Sequence, residues 1–346
     1  MYYVCFLFTY VHRGETISDV TLNRFHICCN QLRRLYKAID EHWDIFTNDV
    51  EVQVMKDYSM VSRKFTKYYS MLMFSIASIM VAVPLTPILL DIVIPLNESR
   101  SRFFAIEVDF RVSNNEYFLP IYCYTSILIL VGVNVVMGVD AMHVACTAHA
   151  CSLFAAISKQ IENIILKANI NDEISKRKYH VDLELDPLNE EIIYREYIVC
   201  LKKHQLAIEF VNTLETSYQE LSLLLLILLI GTISLIAVRI IYVLNQVGEV
   251  IKFTFVFTAC LVTLMIVCYS GQRLMDESQS IFYRAYAAEW YKFSPRLKSL
   301  LIIALYRSNV PCGLKAGNMV PLSIATYAAV VRIAMSYFTA FTSFKE

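Results

Sequence analysis

Three ionisable groups sit where so apolar a chain should have none. Asp140 and His143 are three residues apart inside the apolar stretch 119–147, and Arg332 lies inside the nearly uncharged stretch 319–344. Residues three apart are neighbours on a helix face, so Asp140 and His143 form a pair. Such a pair can relay a proton, help ligate a metal or hold helices together. A metal or a relay needs more ligands than this stretch supplies, and the plain reading is a structural polar pair near the membrane interface. Ten cysteines make no metal spacing: Cys28 and Cys29 are adjacent, Cys146 and Cys151 are five apart, and the rest are scattered. No disulfide framework follows from them. The chain contains no G-x-x-x-x-G-K-[ST], no H-E-x-x-H and no G-x-S-x-G. No catalytic set, metal site or cofactor is expected, so an enzyme is set aside.

The elements that carry these groups are membrane helices. The 346 residues are 57% hydrophobic and only 18% charged, and the mean hydropathy is +0.48. That places the chain in the membrane class, and a net charge of zero gives no reason to expect nucleic acid. Five stretches are long enough to span: about 69–94, 119–147, 221–244, 253–271 and 319–344. Residues 1–11 are apolar but too few, and read as the tail of a span whose beginning is absent. Pro84 and Pro87 should kink or loosen the first full span. Residues 190–220 read as one long helix running into the third span, and 171–189, charged and holding Pro187, as a flexible loop. The turn at 245–252 is so short that its flanking spans must form an antiparallel hairpin. Residues 300–306 are too short to cross and read as a helix packed on other helices. Pro311 and Gly313 then break the chain before the last span.

That last stretch is not uniformly apolar. As a helix it would be about 39 Å long. At 100° per residue, Ala325, Ala329, Arg332, Ser336, Thr339, Ala340 and Ser343 fall on one side. A small, polar stripe on a membrane helix either packs tightly against a neighbour or lines water. Arg332 favours water, because a mid-span charge faces an interior or an aqueous cavity.

The basic residues set the sidedness. Segments 12–68, 148–220 and 272–318 hold 9, 8 and 7 Lys/Arg, which is 24 of the 31 in the chain. Loops 95–118 and 245–252 and the C-terminal tail hold 3, 1 and 1. The positive-inside rule therefore assigns the first group to the cytoplasm and the second to the outside, with the C-terminus extracellular. The one N-glycosylation sequon, at Asn97, falls on the outside as well. Completing a pair of spans at the N-terminus gives seven, with the N-terminus inside. That orientation is opposite to a G-protein-coupled receptor.

Several stretches, in this order and spacing, resemble the insect odorant receptor family from about residue 20 onward. They are Asp140-Ala-Met-His-Val-Ala-Cys-Thr-Ala-His149; Lys203-His204-Gln205 with Phe210 and Leu214-Glu215; Ala285-Tyr286, Glu289-Trp290-Tyr291 and Arg307-Ser308-Asn309-Val310-Pro311; and Lys315-Ala316-Gly317, Leu322-Ser323 and Ser336-Tyr337-Phe338. The resemblance implies an all-α, polytopic membrane helix bundle of the seven-span type, here with the first span missing and the second partial. It implies an odorant-gated, non-selective cation channel that forms heterotetramers with the olfactory coreceptor in the membrane of olfactory sensory neuron dendrites. The last span would line the pore, with Arg332, Ser336, Ala340, Ser343 and Phe344 at pore or gate positions. The odorant pocket would lie in the outer half of the bundle, at Met80, Val83, Tyr122, Tyr124, Phe253, Phe255 and Phe257. Such aromatic, apolar walls suit a small volatile apolar odorant, bound by burial with few hydrogen bonds. A gustatory receptor of the same superfamily would show more polar groups there. A transporter would show internal repeats and paired intramembrane charges, which the sequence lacks.

Overall fold

The computed structural model describes residues 19–94, 104, 117–179, 187–243, 247–287, 290 and 293–345, without side chains at 19–29, 168–179, 187–189, 247, 341 and 344–345. Residues 1–11, the Asn97 sequon, Glu289 and Tyr291 lie outside the described residues, as does the side chain of Phe344.

The described chain is helical apart from one short hairpin. Helix α1 is Asp19–Ile45 and α2 is Asp49–Ala82. Asn48 caps α2 by accepting a hydrogen bond from the Val50 N–H, and Asp49 and Glu51 complement the positive end of the helix dipole. Pro84 breaks the helix as expected: a 3₁₀ turn, Val83–Leu85, intervenes before α3, Thr86–Val93. Helix α4, Phe118–Tyr179, runs 62 residues, α5, Pro187–Tyr242, runs 56, and α6, Val247–Tyr286, runs 40. Then follow α7, Pro295–Ser308, a hairpin of β1, Lys315–Ala316, and β2, Val320–Pro321, and α8, Ile324–Lys345.

Among the described residues, four helical segments are long and apolar enough to cross a membrane: Asp49–Val93, Phe118–Lys167, Glu190–Tyr242 and Gly248–Tyr286. Helix α8 is apolar over Ile324–Ala340. Several boundaries differ from the sequence reading, among them the start of α6 at Val247 inside the turn expected at 245–252. Helix α4 continues to Tyr179 where a loop was expected from 171, because no Gly or Pro interrupts residues 148–179. The last helix starts at Ile324 rather than 319, because Pro321 and the turn before it hold the chain extended.

Helix α4 packs along α2, α6 and α5; α5 packs on α6 and α8; α1 lies on α5, and α7 on α6 and α5. At 1.5 Å per residue, α4 is about 93 Å long, more than twice the thickness of a bilayer. Its second half therefore stands in water, with the adjoining parts of α2, α5 and α6. The core is densest there. Leu35, Phe46, Met55, Leu153, Phe154, Ile157, Ile161, Leu214, Leu274 and Ile281 are all fully buried. The spans instead keep large apolar side chains outward, such as Met71, Ile127 and Leu235. Water drives the first arrangement at roughly 25 cal/mol per Å². Lipid supplies no such drive between helices.

Buried polar contacts lock the water-side core. The Lys203 ammonium lies 2.6 and 2.8 Å from the two oxygens of Glu51 and 4.7 Å from the centre of the Phe46 ring. This pair ties α5 to the start of α2. His42 of α1 meets His149 of α4 at 3.2 Å between ring nitrogens, and both rings stand edge-on to Phe210. Burial holds the His42 imidazole below its usual value, against the opposing pull of Glu41 and Glu209. The neutral ring is thus the folded form.

Removing one member of a buried ion pair leaves the other uncompensated. Lys203→Met should destabilise the chain by about 3–5 kcal/mol in thermal unfolding of the detergent-solubilised protein. Adding Glu51→Leu should restore more than half of the loss; a double variant no better than Lys203→Met would remove the pair from this role.

Candidate functional site

Helix α8 buries one side and presents the other. Val330 and Ala334 are buried against the α5–α6 side, with Tyr327, Val331 and Phe338 partly covered. Ala325, Ala329, Arg332, Ser336, Thr339, Ala340 and Ser343 are all exposed. At 100° per residue this stripe is centred opposite Ala334, so it points directly away from its own chain. It is not an intrachain packing seam. Its hydroxyls are spent on the helix itself: Ser336 donates to the Arg332 carbonyl at 3.0 Å, Thr339 to Ser336 at 3.0 Å and Ser343 to Thr339 at 3.1 Å. Each oxygen keeps lone pairs facing outward. Among the described residues, Arg332 makes no ion pair.

A joint that the sequence reading passed over as a mere break sets the direction of α8. Residues 309–323 fold onto α5 and α6, and Leu314, Ala316 and Leu322 are buried. Two left-handed residues, Gly317 at φ 57° and Asn318 at φ 58°, turn the hairpin. The Gly317 N–H donates to the Gln219 carbonyl at 3.0 Å, which pins the turn to α5. Cys312 N–H donates to Ser278 Oγ at 2.9 Å, which pins the other end to α6. Ser323 caps α8 through the Thr326 N–H, and the Thr326 hydroxyl donates to the Pro321 carbonyl at 2.6 Å. The closest approach is at Gly271 of α6, where a Cβ would stand 2.2 Å from the Leu322 carbonyl oxygen and 2.8 Å from its Cβ. The Gly-Asn pair at 317–318 was the signal available in the sequence.

One residue before that contact lies Ser270, whose hydroxyl meets His143 Nδ1 at 3.3 Å. The His143 ring stands edge-on to Tyr218 of α5, 5.5 Å between centres. Asp140 accepts a 2.5 Å hydrogen bond from the Tyr69 hydroxyl, and Thr263 Oγ1 is 3.4 Å from the same hydroxyl. Asp140 and His143 thus do not form a site with one another. They are buried on one helix and take separate partners, which ties α4 to α2, α5 and α6 where the spans meet the joint. No group of three or more metal-ligating side chains occurs among the described residues.

The seven residues expected around a ligand divide. Met80, Val83 and Phe255 share one closed cavity with Ile79, Pro84, Ile251 and Lys252. Its volume is about 10 Å³, room for about one water. Tyr122 borders this region, donating to the Val81 carbonyl at 3.1 Å and stacking on Phe118 in a cluster with Phe104 and Ile121. The other three face elsewhere. Phe253 lies under Arg239 and Lys252, Phe257 packs on the main core, and Tyr124 is half exposed. Lys252, assigned to a loop in the sequence reading, stands in α6 on the cavity wall. It is buried, paired with Glu249 at 2.6 Å, and donates to the Phe104 carbonyl at 3.3 Å.

The geometry defines a polytopic helix bundle with a water-side core, a pinned joint and a last helix that presents a polar stripe outward. Comparison with known proteins makes the class specific. Residues 16–335 match the family described as 7tm Odorant receptor, and the chain belongs to that family. Odorant receptor 22a of Drosophila melanogaster is 24% identical over 206 residues, 59% of this chain and 49% of that one. Odorant receptor 10a of the same species is 22% identical over 236 residues, 68% of this chain and 55% of that one. The chain spans about half the length of the curated relatives it matches. Two structures of the insect olfactory receptor OR5 from Machilis hrabei share the fold at 12% identity. The one in complex with eugenol has a TM-score of 0.55, covering 84% of this chain and 70% of that chain. The other has a TM-score of 0.54, covering 92% and 80%.

The joint is close-packed, so Gly271→Ala must displace it. The substitution should cost about 1–3 kcal/mol in thermal unfolding. Gly132→Ala, with nothing within 4 Å of its Cβ, serves as the control and should leave stability unchanged or slightly raised. Equal behaviour of the two variants would mean that Leu322 yields freely.

Proposed function

We propose that this chain is an odorant-binding subunit of a ligand-gated, non-selective cation channel formed with the olfactory coreceptor. The observation that carries the reading is the exposed polar stripe of α8, which points away from its own subunit. A neighbouring subunit or water must meet it, because lipid would leave Arg332 uncompensated. In a ring of subunits around an axis, α8 lines the central pore, with Ala340, Ser343 and Phe344 at its outer constriction. Outward-facing hydroxyl oxygens favour a passing cation, whereas a ring of arginines opposes it. A heterotetramer in which most partner subunits lack this arginine keeps the barrier low.

The orientation rests on the basic residues. With 24 of 31 in three segments, the long water-side halves of α4, α5 and α6 are cytoplasmic and the C-terminus is outside. Loop 95–118, with Asn97, is then extracellular, and the Met80–Val83–Phe255 cavity lies in the outer half. This is the odorant site. Its apolar wall suits a small volatile molecule such as the eugenol held by OR5. A cavity of about 10 Å³ cannot admit one while closed, so binding separates α2 from α6. The 3₁₀ turn at Pro84 is the weak point that permits this. Movement of α6 acts on Leu322 through Gly271 and thereby on α8. A sugar-binding gustatory role fits less well, because among the described residues Lys252 is the one charged side chain on that wall.

The test is whole-cell current in cells expressing this chain with the coreceptor, against an odorant panel that includes eugenol. A ligand-specific cation current above that of the coreceptor alone is expected. Ala340→Trp or Ser343→Trp should cut it at least tenfold at equal surface expression. Met80→Trp should raise the half-maximal odorant concentration at least tenfold and leave maximal current intact. Unaltered current in both α8 variants would overturn the pore assignment, and an unshifted dose response in Met80→Trp the pocket.

A further inference from the structure

The Met80–Val83–Phe255 cavity has room for about one water, yet the protein holds a far larger space elsewhere. About 490 Å³ opens between α2, α4 and α6, where the spans meet the water-side core. That is the size of a small-molecule site, with no helix moved. Its wall is drawn from residues 57–65 of α2, 144–151 of α4 and 266–273 of α6. At 1.5 Å per residue the longest of these runs covers about 12 Å, so the space is compact.

The wall offers a ligand no free charge. Among the described residues its one cation is Arg273, which donates to Glu277 at 2.9 Å, and Tyr58 donates to the same oxygen at 2.6 Å. Its one anion is Asp57, which accepts from Gln53 at 2.8 Å. An ionised ligand would give up its hydration there and find no uncommitted partner. Most of the remaining wall is carbon, from Val61, Phe65, Val144, Ala148 and Ile266.

The hydroxyls divide into engaged and free. Thr147 donates to the His143 carbonyl at 2.7 Å and Ser270 to the Val267 carbonyl at 2.9 Å. Ser62 of α2 and Tyr269 of α6 also line the space, and their hydroxyls make no hydrogen bond among the described residues. Each stands one helical turn from the Tyr58–Glu277–Arg273 contact, Ser62 from Tyr58 and Tyr269 from Arg273. Each can donate one hydrogen bond and accept others. They are the few polar groups that orient a ligand in an otherwise apolar site.

We propose that this cavity is a second ligand site, for a small diffusible molecule that is neutral, mainly apolar and carries a hydroxyl or carbonyl oxygen. Its apolar part lies against Phe65, Val144 and Ile266, and its oxygen pairs with Ser62 and Tyr269. A phospholipid does not meet these terms, because its phosphate finds no free cation in the wall. Val61 and Phe65 are exposed, which puts the entrance on the α2 side. Ser270 in the wall precedes Gly271, against which Leu322 of the joint packs, so an occupant bears on the element that starts α8. Binding here is independent of the outer cavity; only its effect on current rests on the channel reading proposed above.

The test uses the full chain in phosphatidylcholine nanodiscs and a photoreactive neutral alcohol, trifluoromethyl-diazirinyl benzyl alcohol, with labelled peptides read by mass spectrometry. Labelling of the three wall segments should saturate as the probe is raised. Met71, exposed on its span, should label in proportion to the probe. The matching benzoate, which is anionic, should label the wall about tenfold less or weaker still. Ala148→Trp, which fills the cavity, should abolish the saturable part. Ser62→Ala and Tyr269→Phe each remove only an oxygen, and each should raise the half-saturating probe concentration about fivefold. Both report on the site even if Ala148→Trp folds poorly. Linear labelling of all three segments would overturn the proposal, as would benzoate labelling equal to that of the alcohol. Unchanged half-saturation in both hydroxyl variants would overturn the pairing with Ser62 and Tyr269. Displacement of the probe by a minority of cholesterol in the disc would assign the space to a membrane sterol and overturn the diffusible ligand. The readout needs neither current nor the coreceptor, so a silent channel leaves this site standing and a failure here leaves the channel reading standing.

Discussion

Lipid tails solvate a leucine as well as another leucine does, so spans gain little by touching each other. This constraint organises the whole molecule. A bundle that cannot be held together by burial inside the membrane must be held outside it or by specific polar contacts. Both devices are present. The helices run far past the bilayer and build a conventional core in water around Phe46, Phe154, Ile157 and Leu214. Where the spans meet that core, the Tyr69–Asp140–Thr263 and His143–Ser270 contacts tie four helices together. Away from that level the spans keep large apolar side chains outward, such as Met71, Ile127 and Leu235.

The joint at 309–323 converts that division into a device. It is hydrogen-bonded to α5 at Gln219 and to α6 at Ser278, and its Leu322 rests on Gly271. Helix α8 is thereby referenced to the water-side core, while its two packed neighbours, α5 and α6, continue into the spans.

What the sequence disclosed and what it did not follow the same physics. The four long apolar helices were legible because hydropathy over about 20 residues is a strong signal. The Pro84 break, the long helix into the third span and the polar stripe of α8 were legible because each depends on local periodicity or on one residue type. The partners of Asp140 and His143 were not. Spacing on one helix said that they were neighbours, and only the packing of three other helices says that they serve different contacts. The start of α8 was missed by five residues, because apolar Met319, Val320 and Leu322 read as span although they line the joint. Of the residues expected around a ligand, Met80, Val83 and Phe255 share a wall, whereas Phe253, Phe257 and Tyr124 turn elsewhere, a division that only tertiary packing decides. Lys252, a buried cation among apolar neighbours, gave no local sign of its place.

The central claim is that the stripe of α8 faces water in the assembled channel. A cysteine scan of α8 in the complex with the coreceptor, probed by a membrane-impermeant thiol reagent applied from outside during odorant-evoked current, measures this directly. The account predicts modification with helical period at positions 329, 332, 336, 340 and 343, and protection at 330 and 334. Modification of 330 and 334, or protection of the whole stripe in a channel that still conducts, would contradict it.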